Sequence, residues 1–393
     1  MWYVASLDDI RAGRVTDVYF RRAVEVLRAK DADKPVVMEV TAASLPEGYA
    51  FGVLAGVEEM VEVLSGRAVD VWSAAEGSVF LPGEPVVRLS GRWCDFGELE
   101  TAMLGVLCHG TGVATKAARC RVAAGERSLL SFGARRAHPA LAPSIERSAY
   151  VGGCDGVSVV ASAEALGIPP SGTMPHALIL LAGSTETALV WFDEVIPPDV
   201  RRVALIDTFE DEKFAALAAA ETLGDHLFAV RLDTPGSRRG DFHALAAEVR
   251  WELDLRGYGH VQIVVSGGLD EADILRMNDV VDGYGIGTAI SDAPVVNFGM
   301  DIVEIDGQPI TKRGKKSGVK QTWVCWECGA RETLPDAAGP SPCPCGADRT
   351  PFLEPLLSAG EIISPLPSIH DLRTFCLGQV SDHLRLTPSA DFR

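Results

Sequence analysis

Three stretches between residues 131 and 176 combine charged or titratable side chains with glycine. They are Phe132-Gly133-Ala134-Arg135-Arg136, Gly152-Gly153-Cys154-Asp155 and Gly172-Thr173-Met174-Pro175-His176. An arginine pair suits a phosphate or a carboxylate, an aspartate suits a donor on a ring or sugar, and a histidine can shuttle a proton or accept a phosphoryl group. Each stretch follows a short apolar segment, and charged groups are costly to bury without partners. We therefore expect the fold to collect these side chains around one site.

The elements that must position these side chains form a regular series between residues 128 and 292. Short apolar segments alternate with helical ones rich in alanine and leucine, which is typical of a parallel sheet covered by helices. Later segments in the series end in Asp207, in Asp233 and in glycine-rich turns. Polar residues at the end of every strand predict a (β/α) barrel with its active site at the carboxyl edge. A doubly wound open sheet is the alternative, but it concentrates ligands at one switch point.

Two late glycine-rich turns, Ser266-Gly267-Gly268 and Gly285-Ile286-Gly287-Thr288, suggest a phosphate site. Each opens into a predicted helix, where backbone N–H groups and the helix dipole favour an anion. Barrels often bind phosphate after their last strands. The alternative is that these glycines only form tight turns. Their position late in the series favours the phosphate interpretation.

Four cysteines near the C-terminus have the spacing of a zinc site. Cys325-Trp326-Glu327-Cys328 is followed, after fourteen residues, by Cys343-Pro344-Cys345. Two such pairs can present four thiolates tetrahedrally to Zn²⁺, and an all-sulfur set leaves no position for substrate, so we expect structural zinc. The other cysteines are predicted to be buried small hydrophobic residues: Cys94, Cys108, Cys120, Cys154 and Cys376.

Composition narrows the possible partners and the compartment. The chain of 393 residues carries a net charge of −18, which argues against nucleic acid as the main partner but permits a small anionic substrate in a basic pocket. We see no signal peptide and no apolar stretch of about 18 residues, so no membrane span is predicted. Nine cysteines with a clustered set of four favour a reducing compartment, and we expect a cytoplasmic protein.

We predict three parts along the chain. Residues 1–120 form an N-terminal β-rich α+β domain with linking helices, and residues 121–295 form the barrel. Residues 296–393 form a C-terminal segment with the four-cysteine, zinc-knuckle-like module, whose tail packs back on the body. The basic stretch from Lys312 to Lys320 is either a solvated turn or a mobile flap over an anion.

With these residues assembled, the chain resembles the nicotinate phosphoribosyltransferase family in its shorter, archaeal-type form. The resemblance rests on SFGARRAHP at 131–139, GGCDGVS at 152–158, GTMPHAL at 172–178, VRLDTPGSRRGDF at 230–242, SGGLDE at 266–271 and YGIGTAI at 284–290. It implies an N-terminal β-rich α+β domain followed by the irregular α/β barrel of type II phosphoribosyltransferases. It also implies a homodimer or higher homo-oligomer with shared active sites.

The resemblance implies a reaction as well. Nicotinate and phosphoribosyl pyrophosphate would give nicotinate mononucleotide and pyrophosphate, with Mg²⁺ present and with assistance from ATP hydrolysis, in NAD salvage. Phe132 would stack on the pyridine ring, with Tyr19 reaching in from the partner subunit. Asp155 would lie at the ring edge, Arg135 would hold an anion, and Arg231 would lie near the carboxylate or ribose.

The same resemblance assigns the sugar and phosphate contacts. Asp207 and Asp233 would bind ribose hydroxyls or Mg²⁺ and offset positive charge on the sugar. His176 would be phosphorylated by ATP. The 5′-phosphate would lie in a cradle formed by Ser266, Gly267, Gly268, Gly285 and Gly287.

Two alternative functions fit the same residues. The first is a sister phosphoribosyltransferase that uses quinolinate, nicotinamide or another heteroaromatic acid. One arginine more or less in the ring pocket would decide this, because a second carboxylate needs its own cation. The second is a non-catalytic nucleotide sensor on the same scaffold, against which the full set of charged residues argues.

Overall fold

The computed structural model describes residues 3–386, which form two compact units. The terminal unit contains the described residues up to Thr115 together with those from Pro294 onward, and the barrel unit is Lys116–Ala293. The end of the predicted C-terminal tail, residues 387–393, lies outside the described residues. No helix in residues 3–386 is both long and apolar enough to cross a membrane.

Strands and helices are numbered here in chain order. The strands are β1 (Pro35–Ala42), β2 (Gly52–Val53), β3 (Val69–Ser73), β4 (Val79–Phe80), β5 (Pro85–Arg92), β6 (Ser128–Ser131), β7 (Gly156–Val157), β8 (Arg202–Leu205), β9 (Leu227–Leu232), β10 (Gln262–Ser266), β11 (Gly283–Ile286), β12 (Phe298–Ile305), β13 (Gln308–Pro309), β14 (Lys320–Val324), β15 (Arg331–Pro335), β16 (Thr350–Pro351), β17 (Glu354–Ser358) and β18 (Glu361–Ile362). The helices are α1 (Leu7–Arg11), α2 (Val18–Ala29), α3 (Val57–Leu64), α4 (Trp93–Phe96), α5 (Glu100–Ala124), α6 (Ala142–Val151), α7 (Val160–Leu166), α8 (His176–Ala182), α9 (Thr185–Val195), α10 (Glu212–Leu223), α11 (Phe242–Leu255), α12 (Glu271–Met277), α13 (Thr288–Ser291) and α14 (Ile369–Leu386). Short 3-10 turns occur at Gly97–Leu99, Ala134–Arg136, Pro139–Leu141, Gly224–His226 and Asp336–Ala338.

The terminal unit is built on an antiparallel sheet with the strand order β13-β12-β1-β5-β3-β17-β18. Its core joins apolar side chains of β1, β3 and β5 to Met60 and Leu64 of α3 and to Met103 and Leu107 of α5. Further along α5, the Thr111 hydroxyl accepts a hydrogen bond from the backbone of the segment that follows β2. The β-rich α+β domain predicted for the N-terminal part is therefore confirmed.

The described residues of the predicted C-terminal part, from 296 to 386, share a sheet with the N-terminal part. β12 pairs antiparallel with β1, and β17 pairs antiparallel with β3. An unpaired strand edge exposes a row of N–H and C=O groups, so strands from the end of the chain cover both edges of the N-terminal sheet. Such pairing between distant segments leaves no local signal in the sequence.

The barrel unit holds parallel strands in the order β7-β6-β11-β10-β9-β8. This order is cyclic, with one opening between β7 and β8, so the strands form a barrel that does not close. A doubly wound sheet would instead run in both directions from a switch point. The irregular α/β barrel is therefore confirmed and the doubly wound alternative is wrong.

Two of the predicted strand ends, at Gly152 and at Gly172, do not follow strands. The apolar segment before Gly152 is helix α6, and the segment before Gly172 is a loop that follows α7. Short apolar runs fit a buried strand and a buried helix equally well, so periodicity alone does not separate them. The loop between α7 and α8 faces the opening of the barrel at the point where a further strand was expected.

Candidate active site

The carboxyl edge of the barrel sheet collects most of the predicted site residues. Phe132 follows β6, Asp233 follows β9, Gly267 follows β10 and Gly287 follows β11. Because parallel strands end at the same edge, these residues lie at one end of the barrel. Hydrogen bonds and ring contacts show which of these side chains touch one another.

Arg231 lies at the centre of a fixed polar network. Its Nε donates to Ser266 Oγ at 2.9 Å and its Nη1 donates to Thr173 Oγ1 at 2.8 Å. Its Nη2 is 3.2 Å from Asp233 Oδ2, and both side chains are largely buried, with 13% and 17% exposed. Ser266 Oγ in turn donates to Asp233 Oδ1 at 2.7 Å. The guanidinium is therefore held in one orientation before any ligand arrives.

The ring of Phe132 lies beside this guanidinium. The Arg231 guanidinium carbon is 5.4 Å from the centroid of the Phe132 ring. Gly285 makes room for the ring, because a Cβ on Gly285 would lie 2.4 Å from two of its carbons. The Phe132 N–H donates to the carbonyl of Ile286 at 2.8 Å, which fixes the backbone at the end of β6. Phe132 and Arg231 thus offer an aromatic face next to a cation.

His176 and Asp207 form a second contact at the same edge. His176 Nε2 lies 3.2 Å and 3.3 Å from the two carboxylate oxygens of Asp207. The Asp207 side chain is 2% exposed and the His176 side chain 41% exposed. Burial raises the pKa of Asp207, although the hydrogen bond from His176 opposes the rise. Asp207 was expected to bind ribose or Mg²⁺, but in the structure it orients a histidine whose other nitrogen, Nδ1, faces away from it.

Arg135 and Arg136 supply uncompensated positive charge. They lie in the 3-10 turn Ala134–Arg136 after β6, and both are exposed. Neither guanidinium has a hydrogen bond or ion pair within residues 3–386. An arginine pair without a carboxylate partner suits a phosphate or carboxylate ligand.

The two glycine-rich turns differ in what they offer an anion. Gly267 and Gly268 have φ of 93° and 70°, in the region that favours glycine. Helix α12 after them is capped by Asp270, whose carboxylate accepts two N–H groups of its first turn. Helix α13 after Gly287 has no side-chain cap. Helix α13 has only four residues, so each turn offers an anion its own backbone N–H groups rather than a helix dipole.

Asp155 is the predicted site residue that the structure places elsewhere. It immediately precedes β7, and its Oδ2 accepts hydrogen bonds from Arg121 Nη1 at 2.9 Å and from the Leu129 N–H at 2.8 Å. Leu129 is the second residue of β6, so Asp155 lies towards the amino edge of the sheet. Asp155 leads into a strand instead of following one, so these contacts do not support the expected position at the ring edge.

Other residues lie outside this network or received no role from the sequence. Tyr19 is in the terminal unit, on α2, with 58% of its surface exposed. Thr173 was recognised only as part of a motif, yet it binds Arg231. Arg239 likewise received no role, and it donates to the carbonyl of Gly267 at 2.7 Å. The sequence motifs include both Thr173 and Arg239, but only the structure shows which side chains make these contacts.

The predicted metal ligands come together in the terminal unit. Sγ–Sγ distances are 3.6 Å for Cys325–Cys345 and 3.4 Å for both Cys328–Cys343 and Cys343–Cys345. All four sulfur atoms lie within 4.8 Å of one another. Four thiolates around a tetrahedral ion at about 2.3 Å would be about 3.8 Å apart, close to these values. The cluster can therefore hold a metal ion such as zinc.

Comparison with known proteins agrees with this architecture. Residues 17–111 match the family model for the quinolinate phosphoribosyl transferase N-terminal domain, and residues 113–301 match the model for its C-terminal domain. Nicotinate phosphoribosyltransferase pncB1 of Mycobacterium tuberculosis is 33% identical over 340 residues, which cover 77% of this chain and 75% of that protein. The chain belongs to the nicotinate phosphoribosyltransferase family. Members of this family are phosphoribosyltransferases, and this chain is one as well.

Solved structures extend the comparison for this nicotinate phosphoribosyltransferase family member. A structure named nicotinate-nucleotide pyrophosphorylase from Pyrococcus furiosus is 49% identical, with a TM-score of 0.95 over 97% of this chain and 98% of that one. Human nicotinic acid phosphoribosyltransferase has a TM-score of 0.75 at 22% identity, covering 93% and 94% of the two chains. At that identity the human structure supports the fold alone.

Replacing Gly285 tests the pocket beside Phe132. Gly285→Ala should force the Phe132 ring aside, because the new methyl group would overlap two ring carbons. Overpacking costs about 1–3 kcal/mol, and a displaced ring should lower phosphoribosyl transfer about tenfold or more. Thermal unfolding and steady-state assays measure both effects. Gly105→Ala on α5, where a Cβ meets nothing within 4 Å, is the control. Unchanged activity in Gly285→Ala would contradict a role for the Phe132 position.

Proposed function

We propose that this protein is a nicotinate phosphoribosyltransferase that makes nicotinate mononucleotide and pyrophosphate from nicotinate and phosphoribosyl pyrophosphate in NAD salvage. The observation that carries the proposal is the fixed Arg231 guanidinium beside the Phe132 ring. A flat ring with one carboxylate needs one aromatic face and one cation. Relatives named nicotinate phosphoribosyltransferase support the same substrate.

The surrounding residues suit transfer of a ribosyl group to a ring nitrogen. The pyridine nitrogen attacks the anomeric carbon while pyrophosphate leaves, so positive charge develops on the sugar. Asp233 supplies a largely buried carboxylate close to the Arg231 position and can offset this charge. Arg135 and Arg136 are available for the diphosphate, and the turns at Gly267 and Gly287 for the 5′-phosphate.

Quinolinate is the second candidate substrate, and a specific observation keeps it open. The matching domain models are those of quinolinate phosphoribosyl transferase. Quinolinate carries a second carboxylate, which needs a second cation in the ring pocket. Within the described residues Arg231 is the one arginine whose guanidinium lies over the Phe132 ring, while Arg135 and Arg136 lie in the exposed turn. This count favours nicotinate.

An assay of pyrophosphate release distinguishes the two substrates. The purified full chain is supplied with phosphoribosyl pyrophosphate and Mg²⁺, and nicotinate, nicotinamide and quinolinate are tested separately, with and without ATP. We expect turnover with nicotinate, because one carboxylate matches one cation. Turnover with quinolinate accompanied by CO₂ release, and none with nicotinate, would reject the proposal. Tight nucleotide binding without turnover on any acid would favour a sensor instead.

We also propose that ATP assists the reaction through His176. Asp207 holds Nε2, so the ring presents Nδ1 as the nitrogen that can accept the γ-phosphoryl group, with ADP as the leaving group. The Asp207 carboxylate would then stabilise the positive charge on the phosphorylated ring. Later hydrolysis of the phosphohistidine would couple ATP cleavage to product formation.

Replacing His176 separates ATP coupling from transfer. His176→Ala should abolish the stimulation by ATP yet keep a slow transfer that does not depend on ATP, because Phe132, Arg231 and the glycine turns remain. Rates with and without ATP measure the effect, and incorporation of the γ-phosphate label into protein checks the intermediate. His243→Ala, which removes a surface histidine paired with Asp279, should behave like the unchanged protein. An equal loss of both rates would give His176 another role.

Magnesium is proposed to enter with the substrate rather than in a protein cage. The expected ligands Asp207 and Asp233 are already bonded, to His176 and to Ser266 and Arg231 respectively. Mg²⁺ commonly keeps several waters and binds through substrate phosphates with one or two carboxylates. The diphosphate and water would therefore supply its oxygen ligands.

Tyr19 is proposed to complete the ring pocket of a second copy in a homodimer. It projects from the exposed side of α2 with its hydroxyl 3.5 Å from Asp17 Oδ2, and 58% of its surface is exposed. An exposed tyrosine at an interface can provide a second aromatic face. A ring clamped between Phe132 of one copy and Tyr19 of the other would make the site depend on assembly.

Complementation between inactive variants tests the shared site. Tyr19→Ala and Phe132→Ala are each expected to lose most activity. Co-expressed with different tags, they form mixed dimers in which one site keeps both aromatic residues, so activity should return to about one quarter of the unchanged protein in a random mixture. Activity no higher than the mean of the separate variants would contradict sharing. Two differently tagged copies of Tyr19→Ala, which together form no complete site, serve as the control and should recover no activity.

We propose that the four-cysteine cluster holds structural zinc and that the protein is cytoplasmic. All nine cysteines are present as thiols, which fits a reducing compartment. Gly329 and Gly346, each directly after a cysteine pair, have φ of 73° and 84° and permit the turns of a zinc knuckle. Four thiolates saturate the ion, so zinc would stabilise the β15-β14-β16 sheet and take no part in catalysis.

Metal analysis tests the zinc proposal. The purified protein should contain about one zinc per chain. Cys325→Ser should lose the metal and unfold at a lower temperature, since three thiolates and a hydroxyl bind zinc weakly. Cys108→Ser on α5 should keep both properties. Equal zinc content in the two variants, or no zinc in the unchanged protein after refolding with Zn²⁺, would contradict the proposal.

A further inference from the structure

The loop between β9 and α11, residues 235–240, carries two arginines that the reaction described above does not use. Its residues are exposed except for Arg239, which is half-buried. The loop is closed by backbone hydrogen bonds from Arg238 and Arg239 to the carbonyl of Pro235, at 2.8 Å and 3.1 Å. It therefore forms a compact turn at the carboxyl edge of the barrel, with one side chain directed inward.

Arg239 is held between an aromatic ring and a carbonyl group. Its guanidinium carbon is 4.8 Å from the centroid of the Phe242 ring, and Phe242 is 4% exposed. Its Nη1 donates to the carbonyl oxygen of Gly267 at 2.7 Å. No carboxylate pairs with Arg239 in the described part of the chain. Its positive charge is therefore directed at the glycine turn without being neutralised there.

This contact sets the direction of one backbone N–H group. The carbonyl of Gly267 and the N–H of Gly268 belong to the same peptide group, which is trans, so they point in opposite directions. A charged donor on the carbonyl also polarises that N–H. Among residues 3–386 no group accepts a hydrogen bond from the Gly268 N–H, and a Cβ on Gly268 would meet nothing within 4 Å. Gly268 is exposed, so its N–H has no partner among the described residues that a ligand would have to displace.

The far end of the same turn is fixed independently. Glu271, the first residue of α12, binds Lys116 and, at 2.8 Å, Arg119 Nε, and these three side chains are 14%, 13% and 11% exposed. Loss of Arg239 should therefore affect Gly267 and Gly268 and leave α12 in place.

We propose that Arg239 is a positioning residue of the phosphate subsite, which directs the Gly268 N–H at the 5′-phosphate of the phosphoribosyl substrate. This inference rests on the proposed function, because the phosphate belongs to that substrate. Backbone N–H groups in a turn can bind anions, and the turn at Gly267 and Gly268 is exposed. The guanidinium behind the peptide adds favourable potential without touching the phosphate.

Calorimetry with a matched pair of ligands tests the role of Arg239. Nicotinate mononucleotide and its nucleoside, nicotinate riboside, differ only in the 5′-phosphate. Arg239→Ala should weaken binding of the mononucleotide about tenfold, because the Gly268 N–H is then neither oriented nor polarised, and leave binding of the riboside unchanged. In kinetics the KM for phosphoribosyl pyrophosphate should rise while the KM for nicotinate stays constant.

The control is Arg276→Ala, which removes an exposed arginine of α12 that pairs with Asp273. It should bind both ligands like the unchanged protein. Equal weakening of both ligands by Arg239→Ala, or of neither, would overturn the positioning role. If Arg239→Ala does not fold, Arg239→Gln is titrated in the same way, since it keeps a donor for the Gly267 carbonyl but loses the charge. It should weaken mononucleotide binding by less than about tenfold and leave riboside binding unchanged. Failure of the unchanged protein to bind the mononucleotide would instead overturn the proposed function.

Discussion

Two side-chain contacts join the sides of a barrel that its strands leave open. The sheet has no backbone pairing between β7 and β8. At the carboxyl edge, Thr173 from the loop before α8 binds Arg231 of β9, and His176 of α8 binds Asp207 after β8. The loop that follows α7 is therefore attached to the far side of the opening by the same residues that form the site. Site geometry and closure of the barrel depend on one set of hydrogen bonds.

This arrangement explains why the site is charged yet rigid. A largely buried ion pair such as Arg231–Asp233 adds little net stability, because desolvation offsets the Coulombic attraction. Its value lies in orientation, since Ser266 and Thr173 occupy further donors of the same guanidinium. Because the Arg231 guanidinium is already ordered without substrate, less entropy is lost when a substrate binds beside it. At the second contact, burial raises the pKa of Asp207 because desolvation disfavours its charged form. The hydrogen bond from His176 offsets this rise only in part.

Sequence motifs located the site but not all of its contacts. Phe132 and Asp233 directly follow strands and lie at the carboxyl edge, because parallel strands end at a common edge. Asp155 follows helix α6 and leads into β7, so the rule for strand ends does not apply to it. The cysteine cluster followed from spacing alone, since four thiolates have few alternative arrangements. The attachment of β12 and β17 to the N-terminal sheet could not be predicted, because strand pairing over such separations depends on the whole fold.

The distribution of positive charge separates two kinds of anion recognition in an acidic protein. The charge of Arg231 is neutralised by Asp233, so Arg231 can recognise a single carboxylate through the direction of its N–H groups rather than through net charge. Arg135 and Arg136 have no such partner among residues 3–386 and lie in an exposed turn, which suits a multiply charged diphosphate. With an overall charge of −18, binding of anions cannot come from the field of the whole protein. Selection must therefore arise within a few ångströms of these guanidinium groups, where a balanced cation discriminates by shape and an unbalanced pair discriminates by charge.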